Sequence, residues 1–304
     1  MIHFFDKLVS LKAKEQGERV ILSIAIISYF VHLALILLAK YDFIQIESKL
    51  LSSPIAAIYT PFSFILVYEV YLLIFFLPKS ISFYIGKQYE IITLIVIRRI
   101  FKDIANLELT SDWFQSQGDV QFTYDALTSL VLFLLIYFFY RNINKRDDTA
   151  ADVVKDARGS IEKFILLKKT IALLLVPILL VLAVFTLITW AHTTINDYSN
   201  GIIAFKNINN VFFDEFFTVL IVVDVLLLLA SFFYSDKFHT IIRNSGFVLS
   251  TILIKISFST EGIVNNALIT AAVLFGFLIL LIHNKFEEHL APLSKESPRQ
   301  KAER

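Results

Sequence analysis

The sequence predicts an all-α integral membrane protein of eight transmembrane helices, arranged as two parallel repeats of four. Three observations lead there. Of 304 residues, 57% are hydrophobic and 18% charged, with 30 Phe, whereas soluble domains hold about 45–50% apolar and about 25% charged residues. The apolar residues gather into windows long enough to cross a bilayer core, which takes roughly 20 helical residues. Lys and Arg are distributed unevenly among the connections, as their preference for the cytoplasmic side requires.

Residues 1–18 mix acids and bases and precede a full-length apolar window, so they read as a cytoplasmic lead-in without a cleavable signal. Windows at Val20–Ala39, Pro54–Leu77, Phe83–Ile104 and Phe122–Tyr140 form the first repeat, residues 19–142. A charged cytoplasmic connector spans 143–168. The second repeat, 169–284, holds windows at Thr170–Trp190, Phe212–Phe233, His239–Ser259 and Ala267–Ile282, and a cytoplasmic tail occupies 285–304. Connector and tail are too small to bury a core of their own.

The third and seventh windows contain Arg98, Arg99 and Lys255, and charge asymmetry decides whether they cross. With eight crossings and both ends inside, 21 of the 28 Lys and Arg lie on the inner side, eight of them in Arg141–Lys169. The alternative, a third segment lying along the surface, would put those eight outside.

Self-similarity between the halves adds the repeat. Val131-Leu132-Phe133, in the run ending Arg141-Asn142, matches Val273-Leu274-Phe275, in the run ending His283-Asn284. Glu69-Val70 followed by Leu72-Leu73 matches Asp224-Val225 followed by Leu227-Leu228, and Phe83 matches Phe238 at the same offset. Four helices per copy is an even number, so the copies share one orientation. The alternative is two stretches of similar apolar composition.

A charge in mid-bilayer costs roughly 2.5–3.5 kcal/mol on insertion scales, so such groups face protein or water and find partners. Each half has an acid in its second helix and a base in its third: Glu69 with Arg98, Asp224 with Lys255. Their depths predict two ion pairs, which read either as the lining of an ion or proton path or as static pairs fixing helix register. Lys87, Glu90, Arg98 and Lys102 share one stripe of the third helix, facing the bundle interior. Arg99 lies off it and is placed at the outer headgroups by snorkelling; the acids Glu108, Asp112, Asp119 and Asp125 flank the same outer end as pairing candidates for Lys102 or Arg99. His32, mid-span in the first helix, reads as a hydrogen-bonded core histidine, with a proton relay as the secondary reading.

Other chemistries find no support in the sequence. With no Cys and no His-x-x-x-His, no metal site is expected, and no cofactor. Nucleotide, hydrolase and metalloprotease motifs are missing, so no enzyme is expected. The net charge of +1 offers nucleic acid no field. An acid in the second helix before a charged third helix is similar to the voltage-sensor module, but Phe122–Tyr140 lacks the spaced Arg of its fourth helix. Lys255 in the seventh span resembles the retinal lysine of microbial rhodopsins, yet Thr251 stands where an acid is expected one turn earlier and an eighth span follows. Neither family is adopted.

The resulting expectation is an ion or proton-coupled translocation path, channel or transporter, partnered by the bilayer, a small ion, and a second copy or another protein at the cytoplasmic face. The competing expectation is a non-conducting scaffold or subunit that binds a protein through its cytoplasmic loops.

Overall fold

In the computed structural model, residues 10–41, 57, 59–78, 80–104, 117–147, 165–179, 181–182, 185, 201–234 and 238–296 are described. Among them every extended element is an α-helix: α1 Leu11–Lys40, α2 Tyr59–Phe76, α3 Ile81–Ile104, α4 Gln117–Asp147, α5 at 165–179, α6 Gly201–Tyr234, α7 Phe238–Ser257 and α8 Gly262–Glu296. Lys102 and the acids Glu108 and Asp112 lie outside the residues whose side chains are described.

Among the described residues, four helices are long and apolar enough to cross a membrane: α1, α4, α6 and α8. Val20, Ile26, Ile27, Phe30 and Val31 on α1 are more than half exposed, as are Leu127, Leu130, Phe133 and Tyr137 on α4. Rows of bare Ile, Leu and Phe of this extent are stable in lipid and not in water. These findings support a membrane-embedded protein.

Consecutive helices pack as neighbours from α1 to α4 and again from α6 to α8. The two rows join through α4 against α8, with a lesser contact of α3 against α7. Ala172, Leu175 and Leu179 of α5, spaced three and four apart on one face, enter the common core. We call the end carrying the 77–80 turn proximal and the end carrying the 258–261 turn distal. Gly262 takes φ +65° at the latter turn, a conformation that glycine adopts without strain.

α4 and α8 run parallel and in register. Asn266 Nδ2 donates to Asp125 Oδ1 at 2.6 Å, the Phe138 and Phe277 rings stack at 6.3 Å, and Asn284 Nδ2 donates to the Asn142 carbonyl at 3.1 Å. Asn142 and Asn284 are residues that the sequence match equates.

α3 and α7 are the inner pair. α7 buries Asn244, Ser250, Thr251 and Ser257 beside Phe247 and Ile254, and α3 buries Tyr84, Gln88, Tyr89 and Arg98 beside Ile91 and Val96. α3 has no exposed residue among those described, and α7 turns its polar residues to protein while Ile242, Leu249 and Ile256 form an exposed apolar stripe, so both carry polar groups away from lipid. Tyr89 Oη lies 2.8 Å from Ser250 Oγ, which donates to the Ala272 carbonyl at 2.7 Å. A Cβ at Gly276 would strike the Tyr89 hydroxyl, so α3, α7 and α8 converge only because that residue is glycine.

Candidate functional site

Among the described residues four polar clusters lie along the bundle, and none is built on the two ion pairs expected from depth. Glu69 is seven residues from the end of α2, while Arg98 is seventeen from the start of α3. At 1.5 Å per residue they differ in height by about 15 Å. The depth expectation puts Arg98 about twelve residues from the inner end of its helix, whereas α3 begins at Ile81 and puts seventeen between them. Asp224 and Lys255 are mismatched in the same way, at ten residues from the end of α6 and seventeen from the start of α7.

The charged groups that face Glu69 are Lys87, Glu90, Lys14 and Glu18. Lys87 is paired with Glu90, one turn on along α3. Glu69 and Glu90 border an open crevice of about 930 Å³ between α2, α3 and α4, together with Thr93, Tyr137, Tyr140 and Arg141. Glu69 Oε2 is buried without a hydrogen-bond partner among the described residues.

Asp224 is 4% exposed and receives Gln88 Nε2 of the other half, at 3.1 and 3.3 Å to its two oxygens. Gln88 Oε1 in turn accepts from Thr251 Oγ1 at 2.8 Å, so both ends of the amide are used and its orientation is fixed. Tyr84 and Asn244 line the small cavity beside the carboxylate. The partner of Asp224 is therefore a neutral amide reaching across from α3, rather than Lys255.

At the distal end, Arg99 grips Asp125 with two donors: Nε to Oδ2, and Nη2 to Oδ1 at 2.8 Å. Nη1 continues to Asn265 Oδ1 at 2.8 Å, Nη2 also reaches Asn266 Oδ1, and Gln121 Nε2 adds a bond to Asp125 Oδ1 at 2.7 Å. The Asp125 side chain is fully buried. Arg99 is thus bound to one of the outer acids, and it ties α3 and α4 to α8 by the bidentate geometry that suits guanidinium and carboxylate. The Asn265-Asn266 dipeptide in an otherwise apolar run was the available signal for this cluster.

At the proximal end His239, His283 and Glu287 meet, within 4.8 Å of one another by their ligand atoms. His-x-x-x-His has an equivalent here in His283-x-x-x-Glu287, whose spacing puts both residues on one face of α8 and which goes unnoticed when only histidine pairs are sought. Arg243 and Asn244 flank the group. Lys168, at the start of α5, is held near pKa 8 by burial and then by the charge of Arg243. His32, half-buried on α1, has its Nδ1 2.5 Å from Thr60 Oγ1 of α2.

No family model, curated protein or solved structure matches this chain.

Proposed function

We propose that the chain is a multi-pass membrane protein of eight spans in two parallel four-helix repeats, with both termini cytoplasmic, and that it passes protons or small ions along the polar seam between its halves. The order of eight helices along the sequence, the basic connector and the parallel register of α4 with α8 support the architecture. The seam runs from Gln88 and Asp224 to the cluster of Arg99, Asp125, Asn265 and Asn266, and the Glu69 crevice within the first half is its side entrance. The chain is assigned no catalytic role.

One observation carries the transport reading. Asp224 is buried where the halves meet, and its hydrogen-bond partners are neutral groups. A buried carboxylate with a cation bound to it is a structural brace; one held by amide and hydroxyl groups can take up or release a proton when its surroundings change. The space beside it is about 10 Å³, room for roughly one water. The path is therefore shut at Asp224, and conduction requires α3, α6 and α7 to part there.

Reconstitution in liposomes against a panel of protons and small cations tests the reading. Flux is expected from the wild type, abolished by Asp224→Asn and reduced by Glu69→Gln. Flux that is absent, or equal in all three proteins, would leave the scaffold reading, which the tight packing around Asp224 favours.

A further inference from the structure

The proximal histidine cluster leads beyond the transport reading and stands independently of it. His283 Nδ1 lies 3.1 Å from the His239 carbonyl and 3.1 Å from His239 Nδ1, while His283 Nε2 lies 3.1 Å from Arg243 Nη1. A carbonyl only accepts and a guanidinium only donates. His283 therefore carries its proton on Nδ1 and its lone pair on Nε2. The shared Nδ1 proton then makes His239 Nδ1 an acceptor, with its own lone pair turned toward His283.

Both imidazoles are thus in the neutral form that binds metals. Glu287 Oε1 lies 3.8 Å from His239 Nδ1 and 3.6 Å from His283 Nε2. Ligands held at about 2.0–2.1 Å around a tetrahedral zinc ion stand about 3.4 Å apart, so Glu287 needs to close by only a few tenths of an ångström; the ligand atoms of the whole set lie within 4.8 Å of one another, and His239 must turn its Nδ1 from the His283 Nδ1 proton toward the ion. The bond from His283 Nδ1–H to a backbone carbonyl is the outer support that orients a ligating histidine. His283 is 1% exposed in its side chain and Glu287 25%, so the set has a rigid inner wall and one side open to an arriving ion.

We propose that His239, His283 and Glu287 form a binding site for a borderline transition-metal dication of the Zn²⁺ class, closed in this structure by Arg243. Two imidazoles and one carboxylate favour such an ion over Mg²⁺ or Ca²⁺, which take oxygen donors. Arg243 donates to the same Nε2 lone pair that the metal needs. Its Nε and Nη2 are also held by Asn244 Oδ1 at 3.2 and 3.1 Å, which draws the guanidinium to the flank of the cluster. Metal and Arg243 compete for His283, and the ion joins the start of α7 to the proximal part of α8.

The full chain in detergent or nanodiscs is titrated with Zn²⁺ alone, and bound metal is counted after gel filtration. Co²⁺ is used in parallel to read the visible bands of a four-coordinate site. One equivalent is expected. Glu287→Gln and His239→Ala should weaken binding by about tenfold or more, comparable to the loss seen when support of a metal site is removed. Arg243→Gln should tighten it severalfold, and binding by this variant alone would equally uphold a site that the arginine closes. The proposal is overturned if neither wild type nor Arg243→Gln retains an equivalent, or if Glu287→Gln and His239→Ala bind as the wild type does. Arg243→Gln and Glu287→Gln leave the buried His283 in place, so the test does not depend on a His283 variant that fails to fold.

Discussion

Glu69 and Asp224 occupy matched places in the two halves, each in a second helix and seven to ten residues from its proximal end, yet their surroundings differ. Glu69 borders an open crevice among four charged neighbours and leaves one oxygen without a partner among the described residues. Asp224 is sealed, and both of its oxygens receive the amide of Gln88 from the opposite half. A shared position therefore did not produce a shared environment. Glu69 faces α3 of its own half, where Lys87 and Glu90 already satisfy each other; Asp224 faces α3 of the other half. One acid is exposed to change, and the other is built into the join.

If the join between halves is polar, its strongest part lies with neither acid but at the distal end. Asp125→Ala strips Arg99 of its carboxylate and should destabilise the protein most, by about 3–5 kcal/mol, as removing one partner of a buried pair does. Chemical unfolding in detergent measures it. A loss below about 1 kcal/mol would mean that apolar packing of α4 on α8 holds the halves together.

Gln88→Leu comes next, because it leaves the Asp224 carboxylate buried without its donor, at roughly 1–3 kcal/mol. The double variant Gln88→Leu with Asp224→Leu should recover much of that loss. Failure to recover in a double-mutant cycle would show that the two side chains act separately.

Glu69→Gln should change stability least, within about 0.5 kcal/mol, because the amide keeps the side chain's shape and Oε2 has no hydrogen bond among the described residues to lose. A large loss there would erase the contrast between the two acids and make Glu69 a structural brace as well.

The helices were largely legible because their signals are local. Each of the eight apolar windows overlaps a helix among the described residues, and charged residues inside the third and seventh did not prevent helix formation, since α3 and α7 turn their polar groups toward other helices. The candidate site was legible only in part. Burial of Arg98 and Asp224 followed from their place in apolar runs, and Asp125 was among the acids weighed for Arg99. The partners were not legible: Gln88 and Thr251 are uncharged and nothing in hydropathy or charge spacing marks them, and Asn265-Asn266 interrupts an apolar run without pointing to Arg99 and Asp125. Depth counted along the chain also misplaced Arg98, because α3 begins at Ile81 and the residue stands seventeen positions into it.

By itself the sequence determined that this chain is helical and apolar enough for lipid, because those properties belong to windows of about twenty residues and need no distant partner. Which polar groups meet was decided only by the tertiary structure. The bond from Gln88 to Asp224 spans 136 residues and that from Arg99 to Asn266 spans 167, and such pairs form where packing excludes water, whatever their distance along the chain.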